Sequence, residues 1–128
     1  MSENRMINLD IECADLGRSL AEIRDDKGKR IEEKVFNEAL TVLEEQGPYA
    51  MFLYLRARHS KVADKMSQRA LEFLKMKEVF GHRVSETNDI FGAIKRLAED
   101  LDDLLFARDL LRTALSYARY HLKAKGED

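Results

Sequence analysis

An all-α fold, a compact bundle of five or six helices in a single helical domain over residues 1–128, is what this sequence predicts, on three observations. Pro occurs once and Gly six times in 128 residues, so the two residues that cost most inside a helix are scarce. Apolar residues recur three and four positions apart almost throughout, the spacing that lines one face of a helix. Hydrophobic residues make up 45% of the chain and charged ones 36%, which is apolar enough to fold, while the length suits one core and not two. Strand content is expected near zero.

The elements follow from that spacing in chain order. A first helix is expected from about Asp10 to Arg24, with Cys13, Leu16, Leu20 and Ile23 on one stripe, preceded by a frayed N-terminus and broken by Asp25-Asp26-Lys27-Gly28. A second starts near Lys29, carries a wide apolar face through Ile31, Val35, Phe36, Leu40, Val42 and Leu43, and ends at Gly47-Pro48. Pro48 suits the first turn of a third helix, and its segment to Leu55 is apolar almost all round, so it is expected to be buried. Ser60 is the expected N-cap of a fourth, whose Val62, Met66, Ala70 and Phe73 lead on to Phe80-Gly81, followed by a polar loop over residues 82–89. Ser85, Thr87, Asn88 and Asp89 are cap-forming types, and Ile90, Ile94, Leu97 and Leu101 mark a fifth helix, with Asp100, Asp102 and Asp103 capping or interrupting it. The last helix runs from about Leu104 to Lys123 on a seam of Leu104, Ala107, Leu111, Ala114 and Ala118, small enough for close helix approach, and leaves a Gly126-Glu127-Asp128 tail.

A net charge of −2 conceals a segregation of sign. Residues 1–47 hold seven Lys/Arg against twelve Asp/Glu, residues 48–83 eight against three, and residues 84–128 seven against nine. Within the basic middle, Arg58, Lys61, Lys65 and Arg69 lie three or four apart and form a stripe on a helix, with Arg56 close to its start. On the last helix Arg108, Arg112, Arg119 and Lys123 fall on one line beside Tyr117, Tyr120 and His121. Cations that pair with phosphates, near aromatic faces on which bases stack, are the physical basis of sequence-tolerant single-strand binding. The competing reading is a solvated face paired with acids of its own domain or of a neighbour, and the acidic N-terminal third permits head-to-tail self-association.

Catalysis finds little support. His59, His82 and His121 have no second ligand at a metal-binding spacing, so no metal and no cofactor is expected. The pairs Asp25-Asp26 and Asp102-Asp103 point about 100° apart on a helix and suit termini or turns better than acid–base work. No Gly-rich phosphate loop and no G-x-S-x-G stand in the chain, and no Arg precedes a His by the spacing that small helical ribonucleases use. Cys13, the single cysteine, reads as a small buried hydrophobe. The N-terminus has no continuous apolar stretch and no later window has the roughly 20 uncharged residues of a membrane span, which predicts a cytoplasmic protein without membrane contact.

Two segments carry a resemblance. Glu33-Lys-Val-Phe-Asn-Glu-Ala-Leu-Thr-Val-Leu-Glu-Glu-Gln-Gly47-Pro-Tyr-Ala-Met-Phe-Leu-Tyr-Leu55 places a helix, a Gly turn and a second apolar helix ending in basic residues in succession. It resembles the small α-helical subunit of the Cmr-type (type III-B) CRISPR effector complex, and the run Phe106-Ala-Arg-Asp-Leu-Leu-Arg-Thr-Ala-Leu-Ser-Tyr-Ala-Arg-Tyr-His-Leu-Lys-Ala124 looks like that family's last helix. Together they cover about a third of the chain. Gln46-Gly47-Pro48 stands where the family more often has Asn-Gly-Leu, and Tyr117 where it often has Trp. The resemblance implies a non-catalytic subunit for antiviral defence that stacks with other subunits of the complex and contacts guide and target RNA weakly and without sequence preference. Arg58, Lys61, Lys65, Arg69, Arg108, Arg112, Arg119 and Lys123 are the candidates for RNA or partner contact, chosen by stripe position. The alternative is a stand-alone helical protein–protein adaptor that binds no nucleic acid.

Overall fold

A computed structural model describes residues 2–125, with side chains described from residue 8 onward; Met1 and the Gly126-Glu127-Asp128 tail lie outside the described residues. The fold is all-α, with seven helices among those residues in place of five or six: α1 (Ser2–Ala21), α2 (Glu33–Gln46), α3 (Pro48–Arg58), α4 (Ser60–Leu74), α5 (Gly81–Val84), α6 (Ile90–Leu97) and α7 (Leu101–Ala124). Among the described residues β-type pairing is limited to one antiparallel bridge, Arg24 with Arg30, closing the turn between α1 and α2. No described helix is long and apolar enough to cross a membrane.

The extra helix, α5, occupies part of the segment expected to be a polar loop. Val84 is buried there, with Val79 and Phe80 buried just before it, and the Arg83 guanidinium pairs with Asp103 of α7, so apolar burial and an ion pair hold a segment that local composition reads as solvated. Helix α4 ends at Leu74, short of Phe80. Phe80 N–H bonds to the Leu74 carbonyl and Gly81 N–H to that of Met76, so the chain folds back over the helix end. A Cβ at Gly81 would meet the Lys75 carbonyl oxygen at 2.9 Å, which explains the glycine. The helical spacing of Phe73 to Phe80 therefore continues through a turn whose apolar side chains are buried without being helical.

Local chemistry sets the other boundaries. Gly47 has φ +97°, a left-handed conformation that ends α2, and Pro48 opens α3 as expected. Asp89 caps α6 by accepting the Gly92 N–H at 2.8 Å, and Asp100 caps α7 by accepting that of Asp103 at 3.1 Å. Ser60 is not the cap of α4. That position belongs to His59, whose ring is engaged elsewhere and makes no capping bond. Leu101, expected on the apolar line of the fifth helix, instead begins α7 and is 67% exposed.

The core lies where α1, α3, α4 and α7 converge. Leu16, Leu20, Met51, Phe52, Met66, Ala70, Leu111, Ala114 and Leu115 surround a void of only about 10 Å³ there, so the interior is close-packed. Helices α1 and α7 run parallel: the Cys13 thiol reaches the Leu110 carbonyl at 3.6 Å, and further along Glu22 pairs with Lys125 at 3.9 Å. Helix α2 lies antiparallel on the other side of α7, and α2 and α3 form a hairpin about Gly47. Cys13 is buried, and its thiol is pushed up to about 12, chiefly by burial and then by Asp10 and Glu12. It is a packing residue with almost no thiolate at neutral pH.

Helix α3 departs from expectation. Met51, Phe52 and Leu55 are buried, but Tyr49 is 38% and Leu53 51% exposed. The helix packs on α2, α4, α6 and α7, and the side that carries Tyr49 and Leu53 faces solvent.

Candidate functional site

The four cations of the first stripe divide into two pairs. Lys65 donates to the Arg24 carbonyl at 2.6 Å, and Arg69 donates to the Ser19 carbonyl at 2.7 Å and to its hydroxyl at 2.6 Å. The Ser19 carbonyl lies in the last turn of α1 and that of Arg24 just beyond it, where intrahelical N–H donors run out and a cation is favoured. These two side chains therefore bind α4 to α1. Arg58 and Lys61 are exposed and form no ion pair among the described residues; the Arg58 guanidinium lies 6.0 Å from the centre of the Tyr54 ring.

The second stripe runs beside α2. Lys123 pairs with Glu33 at 3.4 Å, and Arg112 pairs with Glu44 and, within its own helix, with Asp109 at 3.0 Å. Glu33 and Glu44 are separated by the same eleven positions as Arg112 and Lys123, about three helical turns, so antiparallel packing brings both pairs into register. Arg108 and Arg119 are half-buried, with Nε atoms that are buried and find no hydrogen-bond partner among the described residues. Of the aromatics beside this stripe, Tyr117 is tied down, its hydroxyl donating to both oxygens of Asp10 at 3.0 and 3.1 Å, whereas Tyr120 is open to solvent.

The stripes do not meet; the α1–α2 turn separates their nearest ends. The turn between α1 and α2 brings Arg30, Ile31 and Glu32 between them, and these residues wall two adjoining grooves. One, of about 510 Å³, is closed by Leu122 and Lys123 of α7; the other, of about 340 Å³, by the α3–α4 junction from Arg58 to Val62, with Lys29 and Asp25 across it. Asp25 is already committed, its Oδ1 accepting the N–H groups of Lys27 and Lys29 at 2.9 Å. Those bonds, the Lys29 one foremost, hold its carboxyl below the usual aspartate range. The second groove therefore gathers Lys29, Arg30, Arg58 and Lys61, none of which forms an ion pair among the described residues, against Asp25 and the exposed Glu32.

A polar network fixes the junction. His59 Nε2–H donates to Glu38 Oε1 at 2.8 Å and the Tyr54 hydroxyl donates to the same oxygen at 3.0 Å, tying α2 to both α3 and the start of α4. Glu38 is held below its ordinary 4.5, first by the His59 bond and then by the Tyr54 bond. A carboxylate so held binds its proton more weakly folded than unfolded, so its contribution to stability is whole above about pH 4.5 and is lost as the pH falls through the lower folded value. Glu38→Gln is expected to lower the urea midpoint at pH 7 and to converge with the parent protein in progressively more acid buffer. Parallel midpoints across the whole range would contradict this assignment.

Among the described residues, no group of three His, Cys, Asp or Glu side chains gathers as a metal site requires. Asp103 pairs with Arg83, and Asp25 organises a turn. Lys29 and Arg30 are the groove residues that sequence reasoning missed, because counting charge over residues 1–47 averages them into an acidic third. Their nearness to Gly28 was the available signal, since a left-handed glycine turn redirects the following residues toward the next element. Comparison with known proteins finds no matching family model, no similar curated protein and no similar solved structure.

Proposed function

We propose that this protein is a non-catalytic small subunit of a type III CRISPR RNA-guided effector complex, which stacks with other subunits and holds target RNA by its phosphates in antiviral defence. The observation that carries the reading is the groove between the α1–α2 turn and the α3–α4 junction, where Arg30, Arg58 and Lys61 converge beside Asp25 and Glu32 and form no ion pair among the described residues. Such cations gain by displacing counterions from a phosphate backbone, and they read no sequence. The resemblance of the α2–α3 hairpin and of α7 to the Cmr-type small subunit supplies the biological setting. Purified from its native cells, the protein is expected to bring with it larger subunits and a guide RNA.

Direct binding tests the groove. Neutralising it by Arg30→Gln, Arg58→Gln and Lys61→Gln together is expected to weaken single-stranded RNA binding at least about tenfold at low salt. It should also flatten the log–log salt dependence by about 2, since each lost contact on a single strand is worth about 0.7. An unchanged affinity and slope in fluorescence anisotropy would remove the groove from the interface.

A protein-only adaptor is favoured by a different observation, that Lys65, Arg69, Arg112 and Lys123 are spent inside the chain. On that reading neither the parent nor the variant binds RNA at any salt concentration, and the variant loses a protein partner instead.

A further inference from the structure

We infer that the solvent-facing side of α3 and α6 is a base-stacking surface for single-stranded RNA, centred on Tyr49 and Phe91. This rests on the RNA-contact reading above and adds to it a second, chemically different contact. The two rings meet edge to face with centroids 5.0 Å apart, one from each helix. The Arg56 guanidinium carbon lies 4.7 Å from the centre of the Phe91 ring, and the Lys95 ammonium 6.0 Å from that of Tyr49. Leu53, one turn on from Tyr49, stands 51% exposed beside them.

Helices α3 and α6 contain no Asp or Glu. The nearest acid in sequence, Asp89, has its carboxylate committed to the Gly92 N–H. Arg56 and Lys95 form no ion pair among the described residues, so their attraction to the rings is joined by no competing internal acid. Both cations are exposed and remain free to meet phosphates, while the exposed Tyr49 ring and the Arg56 guanidinium plane, which rests on the half-buried Phe91, offer flat faces to bases. This combination of cations and stackable planes is what sequence-tolerant single-strand binders use. Interfaces between proteins are enriched in Tyr, Phe and Arg but depleted of Lys, so the exposed Lys95 and the absence of any Asp or Glu from both helices are what favour a phosphate-bearing partner.

The test separates bases from phosphates. The probes are an oligouridylate of about twelve nucleotides and an abasic strand of the same length, which keeps every phosphate and loses every base. The full chain is expected to bind the oligouridylate about tenfold more tightly than the abasic strand. Because the chain has no tryptophan, binding should also quench its tyrosine emission. Tyr49→Ala is expected to remove the preference and most of the quenching while leaving abasic binding unchanged; Tyr49→Phe keeps the ring and the preference. Circular dichroism confirms the fold of each variant, and Phe91→Leu provides a second route if Tyr49→Ala unfolds. Equal binding of both strands by the parent overturns the stacking surface and leaves the phosphate groove standing. Binding of neither strand overturns both readings. A Tyr49→Ala variant that binds both strands as the parent does, yet drops out of the assembled complex, overturns stacking in favour of a protein contact.

Discussion

Phe36→Ala is expected to cost about 3–5 kcal/mol, the largest loss of any single truncation considered for this chain. The Phe36 side chain is wholly buried on α2, the helix that packs against both α3 and α7 and orients the Glu38 network at the α3–α4 junction. Truncation removes the transfer free energy of the ring and leaves a space that two flanking helices, each held by its own contacts, fill only in part. A domain of this size has about 5–15 kcal/mol in total, so the variant retains a small margin at best. At roughly 3–5 °C per kcal/mol, its thermal midpoint should fall by about 15 °C. Phe36→Leu keeps most of the volume and should cost only about 1 kcal/mol. Urea denaturation of the pair checks the account. If Leu and Ala cost the same, the aromatic ring itself and not its volume is what the site requires. A loss below about 1 kcal/mol for Ala would mean that α2 is free to settle onto its neighbours.

The same physics explains what could be read in the sequence. Local rules were sufficient where a boundary is set by one residue and its immediate neighbours, as at Gly47-Pro48, and they narrowed the cap of α6 to four residues of which Asp89 is the one; Asp100, expected to cap or interrupt the fifth helix, caps α7 instead. They failed where the deciding partner is distant in the chain. Nothing near Val84 announces that Asp103 will hold α5, and nothing near Ser60 announces that Glu38 will engage His59. Helical spacing grouped Arg58 with Lys61, Lys65 and Arg69 although Arg58 ends α3 and the others lie on α4, and on α7 it identified the shared face but not what that face meets. Arg112 and Lys123 are on one line, and so are Glu33 and Glu44, and only antiparallel docking of α2 on α7 turns two charged faces into paired ones. The groove of Arg30, Arg58 and Lys61 is assembled from three segments and from both a basic and an acidic third of the chain, so no count along the sequence isolates it. Composition likewise marked α3 as buried all round, because periodicity reports the width of an apolar face and not whether a neighbour exists to cover it.

Gly17→Ala should destabilise the protein by about 3 kcal/mol, against the direction that helix propensity alone predicts. Gly17 lies inside α1, four residues before its C-terminal end, and replacing Gly by Ala within a helix ordinarily stabilises by up to about 1 kcal/mol. Here α1 crosses α7 at its closest point. A Cβ added to Gly17 would sit 2.5 Å from Tyr117 Cβ, 2.6 Å from the Ala114 carbonyl oxygen and 2.8 Å from the Ala118 nitrogen. Two of those atoms are main chain and the third is fixed to it, so no rotamer change relieves the overlap and the helices must move apart. Separation loosens the contacts of Cys13, Leu16 and Leu20 across the interface, and a gap of 0.5–1 Å already forfeits a quarter to a half of each dispersion well. Overpacking of this kind costs typically 1–3 kcal/mol and here takes the upper end or beyond, which outweighs the propensity gain. The alanine seam of Ala107, Ala114 and Ala118 was legible as a surface for close approach; its partner, one glycine in a parallel helix about a hundred residues away, was not. Because the obstructing atoms belong to the backbone, trimming Ala114 or Ala118 to Gly is expected to give no rescue. The sign of the change in urea midpoint decides the matter: a more stable Gly17→Ala protein would mean that α1 and α7 are held together less closely than this packing requires.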